Sequence, residues 1–522
     1  MFQKRFFGRA AAAALFLFCA VCEAQTAKHF MVAAAHPLAV EAGYGVLKRG
    51  GTALDAAIAV QLVLGLVEPE SSGIGGGAFL LHWSDRDKKL RSYDGRETAP
   101  AAAHRGLFLD SNNKQLEFPE AVVSGRSVGV PGVLRMLELA HKRHGKLPWA
   151  ELFAPAIALA EQGFAASPRL RRLMEQERFQ LPLKNPEYAA TLTAIAQGGA
   201  DAFYRGALTA EMVRAVRSHA RPGALTAQDF ADYRALEREP LCGTYRAWRI
   251  CSMGPPSSGG VAVLQILGML ERTPFARAPP QSAAAVHYFA EAGRLAYADR
   301  AKYLGDPDFV SVPVSSLLKP SYLDRRAKLI QDKSMRLAPA GDPEAFGTSH
   351  LSIVDAAGDA VSMTTTIEAT FGSRILVRGF LLNNQLTDFD FAPGSPNEVA
   401  PRKRPRSSMA PAMVFSGARL DMVIGSPGGP NIINYVAKAL VGTLDWKMDL
   451  QSAIALPNFG SRNGPTLIER GSSYEGLIKE LSGRGHEIET PALTSGLHGI
   501  ERVPGGWRGA ADPRREGTAK GD

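Results

Sequence analysis

The chain has 522 residues, of which 45% are hydrophobic and 21% charged, as in an ordinary globular protein with ample material for a core. Disorder is therefore excluded as its general state. The formal net charge of +9 is basic, but the lysines and arginines are scattered rather than gathered into aromatic-studded stripes. We therefore expect no nucleic-acid partner, and we expect the densest basic run, residues 402–406, to be a solvated loop.

The N-terminus has the features of an export signal. Lys4, Arg5 and Arg9 precede a short apolar run, residues 10–21, and small residues suit cleavage after Ala24. The run is shorter than the roughly 20 residues of a membrane-spanning helix, and no lipobox precedes the cysteines of this segment. The sequence predicts a signal peptide over residues 1–24, a periplasmic or secreted mature protein, and no stable membrane anchor.

Two cysteines remain in the mature chain. Cys242 and Cys251 flank a strand-like stretch, residues 243–250. In an oxidising compartment they are candidates for a disulfide, while two small buried thiol side chains are the alternative. The sequence leaves both interpretations open.

The mature chain begins with two predicted helices. Pro37 suits a first helical position, the glycines at 50 and 51 end this helix, and Thr52 can cap the next one. The second helix, residues 53–67, is apolar almost all round, which indicates a place inside a layered core.

A glycine-rich stretch, residues 73–77, follows and leads into a predicted strand, residues 78–83. A phosphate-binding loop follows a strand and opens a helix, and here that order is reversed. We expect close backbone packing or a turn at these glycines instead.

The remaining pattern is mixed. Residues 125–240 and 284–335 are largely helical in pattern, with a loop at 252–260 between them. From Thr348 onward the chain shows short alternating strands and Gly/Pro turns, with one more helix at residues 432–444. These blocks predict a layered α+β or α/β architecture, which we expect to form one globular unit.

A β-hairpin is predicted directly after Gly347. Residues 348–355 form its first strand, residues 356–358 a three-residue loop ending in glycine, and residues 359–367 its second strand. Pairing Asp355 with Asp359 sets Thr366 opposite Thr348 and Thr364 opposite His350. Alternation gives the hairpin one apolar and one polar face, and on this pattern alone the polar face is expected to meet solvent.

Eight short motifs stand along the chain in an order that is specific as a set. They are Gly73-Ile74-Gly75-Gly76-Gly77, Gly95-Arg96-Glu97-Thr98-Ala99-Pro100, Pro256-Ser257-Ser258-Gly259-Gly260, Ala296-Tyr297-Ala298-Asp299-Arg300, Gly347-Thr348-Ser349-His350, Asn383-Asn384-Gln385, Ser407-Ser408-Met409 and Gly425-Ser426-Pro427-Gly428-Gly429. This set resembles the signature of the gamma-glutamyltranspeptidase family and covers nearly all of the mature chain.

The resemblance implies an N-terminal-nucleophile hydrolase with an α+β fold, a four-layer αββα sandwich. It implies a precursor that cuts itself between Gly347 and Thr348, giving a large subunit, residues 25–347, and a small subunit, residues 348–522. The two subunits would be partners within one interlocked globule. The implied substrates are gamma-glutamyl amides such as glutathione, with water or an amino-acid or peptide acceptor, and no cofactor or metal is expected.

The chemistry gives a reason for the cut. A threonine hydroxyl is a poor nucleophile without a base, and cleavage frees the α-amine of Thr348. The reference pKa of an α-amine, about 7.7 to 8.0, suits proton transfer near neutral pH. The uncut amide nitrogen has no such basicity, so the precursor is expected to be inactive.

The resemblance also assigns roles in the site. Catalysis would fall to Thr348 with Thr366, and the backbone N–H groups of Gly428 and Gly429 would form the oxyanion hole. Residues with implied roles in substrate binding are Arg96, Ser407 and Ser408 for the α-carboxylate, Gln385 and Asp388 near the α-amino group, and Glu368 near the amino-acid end of the substrate.

Two features depart from the family pattern. Glu368 stands where well-studied members usually have asparagine, so a carboxylate either reinforces binding of the substrate ammonium or repels its α-carboxylate. The stretch between Asp388 and Ser407 is short and lacks the aromatic lid loop of many members. An open cleft of this kind would favour bulkier substrates and hydrolysis over transfer.

Two other functions remain to be weighed. An acylase of the same fold would cleave another acyl amide, of the glutaryl or cephalosporin type. A non-catalytic relative would fold without cutting itself and would serve as a binding protein, which the intact Thr348, Thr366, Gly428 and Gly429 disfavour. Metalloprotease and serine-esterase functions are disfavoured because no His-Glu-x-x-His or Gly-x-Ser-x-Gly pattern stands in the required context.

Overall fold

The computed structural model describes residues 25–338 and 347–522. The predicted signal peptide, residues 1–24, and the segment 339–346 just before the predicted cut lie outside the described residues. In the part of the chain that the structure describes, no helix is both long enough and apolar enough to span a membrane.

The described residues form strands and helices, with a long block of helices, residues 118–232, between the fourth and fifth strands. The strands are β1 (Gln25–Ala27), β2 (Met31–Ala34), β3 (Gly77–Ser84), β4 (Lys89–Gly95), β5 (Leu236–Arg238), β6 (Leu241–Tyr245), β7 (Trp248–Ser252), β8 (Gly347–Val354), β9 (Ala360–Glu368), β10 (Leu376–Val377), β11 (Phe380–Leu381), β12 (Ala412–Ser416), β13 (Arg419–Gly425), β14 (Phe459–Ser461), β15 (Thr466–Ile468), β16 (Ile488–Glu489), β17 (His498–Val503), β18 (Gly506–Ala511) and β19 (Thr518–Gly521). The helices are α1 (Pro37–Lys48), α2 (Ala53–Val67), α3 (Phe118–Val122), α4 (Val133–His144), α5 (Ala154–Gln162), α6 (Pro168–Gln176), α7 (Pro186–Gly198), α8 (Asp201–Tyr204), α9 (Ala207–Arg217), α10 (Ala227–Asp232), α11 (Gly259–Leu270), α12 (Ala283–Tyr303), α13 (Val314–Leu317), α14 (Pro320–Ala327), α15 (Ile432–Leu444), α16 (Leu450–Ala455) and α17 (Ile478–Gly483).

Two seven-stranded sheets form the centre of the molecule. One has the order β1-β18-β17-β13-β12-β7-β6, and the other has the order β19-β2-β8-β9-β3-β4-β5. One apolar cluster joins the second sheet to α1, α2, α4 and α5, and another joins the first sheet to α11, α12 and α15. A third, smaller cluster lies between the sheets. Three apolar layers between four layers of structure make an αββα sandwich, which confirms the predicted fold class.

The first two helices begin as their sequences predict. Pro37 opens α1, and the His36 Nδ1 accepts a hydrogen bond from the N–H of Leu38. Thr52 and Asp55 form a reciprocal capping box at the start of α2. Almost every residue of α2 is buried, because the helix is apolar all round and is covered on all sides.

The predicted hairpin is formed by β8 and β9, and its register is confirmed except at its open end. His350 pairs with Thr364, as expected, and Gly358 takes the left-handed conformation with φ of 83°. The register then shifts between Gly347 and Ser349. The predicted direct pairing of Thr348 with Thr366 is therefore wrong, because a β-bulge interrupts the ladder at this point. Simple alternation of polar and apolar residues does not reveal a bulge.

The polar face of this hairpin is buried, which corrects the expectation that it meets solvent. The other seven-stranded sheet covers it: the Ser362 hydroxyl donates to the carbonyl of Ile424, on β13 of that sheet, at 3.2 Å. His350 bonds through Nδ1 to the Thr364 hydroxyl at 2.9 Å and through Nε2 to the Ser352 hydroxyl at 3.1 Å. Burial lowers the pKa of His350 well below its ordinary value, so this ring is neutral.

The two cysteines are joined. The stretch between them is a hairpin of β6 and β7 rather than one strand, and its turn is made at Arg246, whose φ is 54°. This places Cys242 directly opposite Cys251, and a disulfide links them.

The basic run 402–406 is for the most part not a solvated loop, so that prediction is wrong. Lys403, Arg404 and Arg406 are 4%, 7% and 7% exposed. Lys403 donates to two backbone carbonyls, and Arg404 and Arg406 pair with Asp94 and Asp390. These three cations can be buried because each is paired with a carboxylate or hydrogen-bonded to backbone carbonyls.

Candidate active site

β8 lies in one sheet and packs against β13 and β17 of the other. Thr348 and Thr366 are each 3% exposed. Gly347 pairs with Glu368 across the two strands, and the N–H of Glu368 donates to the Thr366 hydroxyl at 2.8 Å. The predicted cleavage site therefore lies beside the end of β9, residues 366–368, with a register that the bulge shifts.

Gly428 and Gly429 lie in the loop between β13 and helix α15. Their φ values are 130° and 55°, and a Cβ on Gly428 would lie 2.5 Å from the ring of Tyr435. Position 428 therefore requires glycine, both for its positive φ and for the close contact with Tyr435. A short 3₁₀ turn, Gly429–Asn431, leads directly into α15, so the N–H groups of this segment carry the positive end of a helix dipole.

The glycine-rich stretch packs against the same threonine strand. A Cβ on Gly76 would overlap the carbonyl oxygen of Thr366, and one on Gly75 would overlap that of Leu381. Asn383 holds this stretch by donating to the carbonyls of Gly75 and Gly129 at 2.8 and 2.9 Å. Close backbone packing is therefore the role of these glycines, as predicted.

Arg96 directly follows β4 and is 1% exposed. Its guanidinium pairs with the carboxylate of Asp388, and its Nε and Nη2 donate to the carbonyls of Pro405 and Arg406 at 3.1 and 3.0 Å. Gln385 donates to the same carboxylate at 2.7 Å. The structure thus brings Arg96, Gln385 and Asp388 together.

Glu97 lies under this arginine. It is fully buried, and its carboxylate is 3.8 Å from Nη1 of Arg96. Burial raises the pKa of Glu97 to about 8, against the opposing effect of the Arg96 charge. Gly77, which pairs with Thr366, makes room for this carboxylate, so Glu97 links the arginine to the threonine strand.

The two predicted carboxylate-binding serines lie in a loop that α12 supports. Arg300 on this helix donates to the hydroxyls of Ser258 and Ser408 at 2.8 and 2.9 Å. The carbonyl of Ser407 accepts from the N–H of Ser258 at 2.8 Å. Arg300 therefore fixes the loop on which Ser407 and Ser408 lie.

The motif on α12, residues 296–300, is part of the family resemblance, but the sequence alone predicts no separate role for it. Tyr297 donates to the carbonyl of Pro430, in the loop that contains Gly428 and Gly429. Arg300 donates to the hydroxyl of Ser408. Their spacing of three residues, which places both side chains on one helix face, is the signal that could have shown this.

A group of possible metal ligands lies apart from these residues. Among the described residues, His287, Glu291 and His486 have ligand atoms within 4.8 Å of one another. They already bond to protein groups: His287 contacts His486 at 2.8 Å, and Glu291 pairs with Arg294 at 2.9 Å. Their geometry is that of a buried hydrogen-bond network.

The four-layer sandwich defines the class of this protein, the N-terminal-nucleophile hydrolases. The family model of gamma-glutamyltranspeptidase matches residues 39–522. The chain belongs to this family, which confirms the resemblance inferred from its motifs.

Its relatives include both hydrolases and acylases. The chain is 36% identical to the glutathione hydrolase proenzyme of Bacillus subtilis (strain 168), over 95% of this chain and 92% of that protein. It is 35% identical to the acylase ACY 1 proenzyme of Pseudomonas sp. (strain SE83), over 94% and 92%. The crystal structure of a cephalosporin acylase from Bacillus halodurans superposes with a TM-score of 0.87 at 27% identity, covering 100% of this chain and 99% of that one.

Proposed function

We propose that the chain is a self-cleaving gamma-glutamyl hydrolase and transferase in which Thr348 is the nucleophile. One observation carries the proposal: Gly347 pairs with Glu368, which brings the Gly347–Thr348 bond beside Thr366. The family membership and the glutathione hydrolase relatives support this activity. A denaturing gel of purified active material tests it, because one unbroken band would contradict self-cleavage.

Cleavage adds water across the Gly347–Thr348 bond and leaves a carboxylate on Gly347 and an amine on Thr348. The residues 25–347 and 348–522 then form the large and small subunits of one globule. Several relatives are named proenzymes, which supports a precursor of this kind.

In the mature protein the Thr348 hydroxyl attacks the carbonyl carbon of the gamma-amide, and its proton passes to the Thr348 α-amine. The N–H groups of Gly428 and Gly429 stabilise the negative charge that develops on the carbonyl oxygen. The intermediate collapses, the C–N bond breaks, and the amine leaves with a proton from the ammonium. Water then hydrolyses the acyl-threonine ester, or an amino group attacks it and completes a transfer.

The substrate acyl group is an amino-acid zwitterion. Arg96 would bind its α-carboxylate together with Ser407 and Ser408, and Asp388 and Gln385 would bind its α-ammonium. In the structure Arg96 and Asp388 pair with each other, so substrate binding exchanges one ion pair for two. No cofactor enters this chemistry.

Export of the chain fits this proposal. The disulfide between Cys242 and Cys251 is of a kind that persists in oxidising compartments. We therefore place the mature protein in the periplasm or the medium, after removal of residues 1–24.

An acylase function is the second candidate, favoured by the similarity to ACY 1 and to the cephalosporin acylase. Glu368 separates the two functions. A glutaryl group has the carboxylate of a gamma-glutamyl group but lacks its ammonium, so a buried carboxylate at Glu368 disfavours it. A gamma-glutamyl anilide and a glutaryl anilide distinguish the candidates, and a clear preference for glutaryl would overturn our first choice.

Replacing Glu368 by asparagine is expected to lower the preference for gamma-glutamyl over glutaryl anilide about tenfold in kcat/KM, because an attraction for the ammonium is lost. The φ of 85° at this residue favours asparagine over glutamate, so the variant should fold at least as stably. Glu368→Gln is the matched control, since it removes the charge and keeps the side-chain length. A preference unchanged in both variants would remove Glu368 from the substrate pocket.

The raised pKa of Glu97 predicts a pH effect on substrate binding. Below a pH of about 8 the buried carboxyl keeps its proton, and Arg96 presents its full positive charge. Above that pH the carboxylate forms 3.8 Å from the guanidinium and offsets part of its charge. We expect KM for a gamma-glutamyl anilide to rise above this pH. Initial rates measured over about two pH units on either side of it test this expectation.

Glu97→Gln is the control for this effect. The amide cannot ionise, so the ratio of parent to variant KM should increase as pH rises. A constant ratio would show that Glu97 does not titrate in this range.

A further inference from the structure

Arg515, close to the C-terminus, contacts the residue that we propose as the nucleophile. Its Nη1 donates to the backbone carbonyl of Thr348 at 3.3 Å. Its Nε donates to the carbonyl of Ser495 at 2.9 Å, and its Nη2 donates to that of Thr494 at 3.3 Å. One side chain thus ties the start of β8 to the loop before β17.

This contact acts at an irregular point of the sheet. The ladder pairs Gly347 with Glu368 and Ser349 with Thr365, and its register shifts across Thr348. The carbonyl of Thr348 accepts its bond from a side chain here, where a regular strand would use the neighbouring backbone. After cleavage the link to Gly347 is gone, so this bond becomes a larger share of what holds Thr348 in place.

Arg515 also packs near the proposed oxyanion loop. Gly496 lies between the two, because a Cβ there would be 2.6 Å from Cδ of Arg515 and 2.7 Å from Cγ of Pro427. Pro427 immediately precedes Gly428 and Gly429. The arginine side chain therefore connects the backbone of the nucleophile with the loop that would bind the oxyanion.

A buried ionic cluster holds the segment of Arg515 in place. The next residue, Glu516, accepts a hydrogen bond from the N–H of Arg169 at 2.8 Å, and the Arg169 guanidinium lies 3.5 Å from Glu68. Glu68 in turn accepts a bond from the hydroxyl of Ser349 at 2.7 Å. Glu516, directly after Arg515, and Ser349, directly after the proposed nucleophile, are thus held by the same cluster of charged groups, Arg169 and Glu68.

We propose that Arg515 is a positioning residue for Thr348. Its bond to the Thr348 carbonyl fixes the backbone of this residue, and so directs the hydroxyl and the freed amine at the carbonyl group to be attacked. The inference rests on the proposed role of Thr348 as nucleophile. Because Arg515 touches no part of the substrate in this role, its loss should lower kcat and leave KM nearly unchanged.

Arg515→Gln is the variant of choice. Glutamine places an N–H donor where Nε stands, so it keeps the bond to Ser495 and loses the bond to Thr348. We expect self-cleavage and kcat to fall about tenfold or more, with KM within about twofold of the parent. Arg515→Lys, which keeps a cationic donor of similar reach, should recover part of kcat.

Arg508→Gln is the matched control. Arg508 lies on β18 and pairs with Glu501 at 3.1 Å, so it tests the loss of an arginine ion pair nearby in the sequence. Its cleavage rate, kcat and KM should stay within about twofold of the parent. A kcat for Arg515→Gln equal to that of this control would overturn the proposal.

Two further measurements keep the test decisive. If Arg515→Gln does not fold, Arg515→Met replaces it, because methionine keeps most of the side-chain length and removes every hydrogen-bond donor. Parental kcat in a folded Arg515→Met protein would also overturn the proposal. Thr348→Ala is measured alongside: if it still turns over, the proposed function itself fails, whereas an inactive Thr348→Ala with a normal Arg515→Gln refutes the positioning role alone.

Discussion

Replacing Thr348 by alanine is expected to abolish both self-cleavage and turnover. The variant has neither a hydroxyl to attack the Gly347 carbonyl nor one to accept the acyl group. The loss in kcat should be at least about 10⁴-fold, as for other enzymes that lose their nucleophile. Denaturing gels, N-terminal sequencing for a chain beginning Thr-Ser-His-Leu, and release of anilide measure the two effects.

Thr348→Ser is the control for this variant, because it keeps a hydroxyl and an amine at the same position. It should still cut itself and retain measurable turnover. Thr348→Ala should fold normally, since the methyl group replaces a small side chain that is 3% exposed. A Thr348→Ala protein that still splits after Gly347 would refute the assignment.

Replacing Arg96 by alanine is expected to raise KM for a gamma-glutamyl anilide about 100-fold, with a smaller change in kcat. The reason is the loss of a charge-assisted, two-pronged bond to the substrate α-carboxylate in a buried setting. Initial rates over a wide range of substrate concentration measure both constants.

The substrate itself provides the sharpest control for Arg96. A 4-aminobutyryl anilide has the ammonium of the gamma-glutamyl group but lacks its carboxylate, so Arg96→Ala should leave its KM nearly unchanged. Arg402→Ala removes an exposed arginine that pairs with Asp232. This variant should change the KM of neither anilide. An unchanged KM for the gamma-glutamyl anilide would remove Arg96 from the pocket.

Much of the fold follows from local sequence patterns. Helices α1 and α2 were predictable because Pro37 and Thr52 mark where they start and the glycines at 50 and 51 mark where the first one ends. Helix α15 matches its predicted bounds, and the hairpin of β8 and β9 has its predicted loop. These features depend on residues close to one another in the chain.

The errors arose where distant parts of the chain decide the outcome. The polar face of the hairpin is buried because a second sheet covers it, and no alternation within the hairpin reveals that sheet. Arg404 and Arg406 are buried because carbonyls and a carboxylate from distant segments surround them. Arg515 could not be connected to Thr348 for the same reason, since 167 positions separate them.

The strand order gives the proposed cut an unusual consequence. In one sheet β2 lies between β8 and β19, and in the other β1 pairs with β18 while β7 pairs with β12. Strands from before and after the cut therefore share backbone ladders in both sheets. Dilution alone cannot separate two such halves, so loss of the partner requires unfolding, and exchange of halves between molecules should not occur under native conditions.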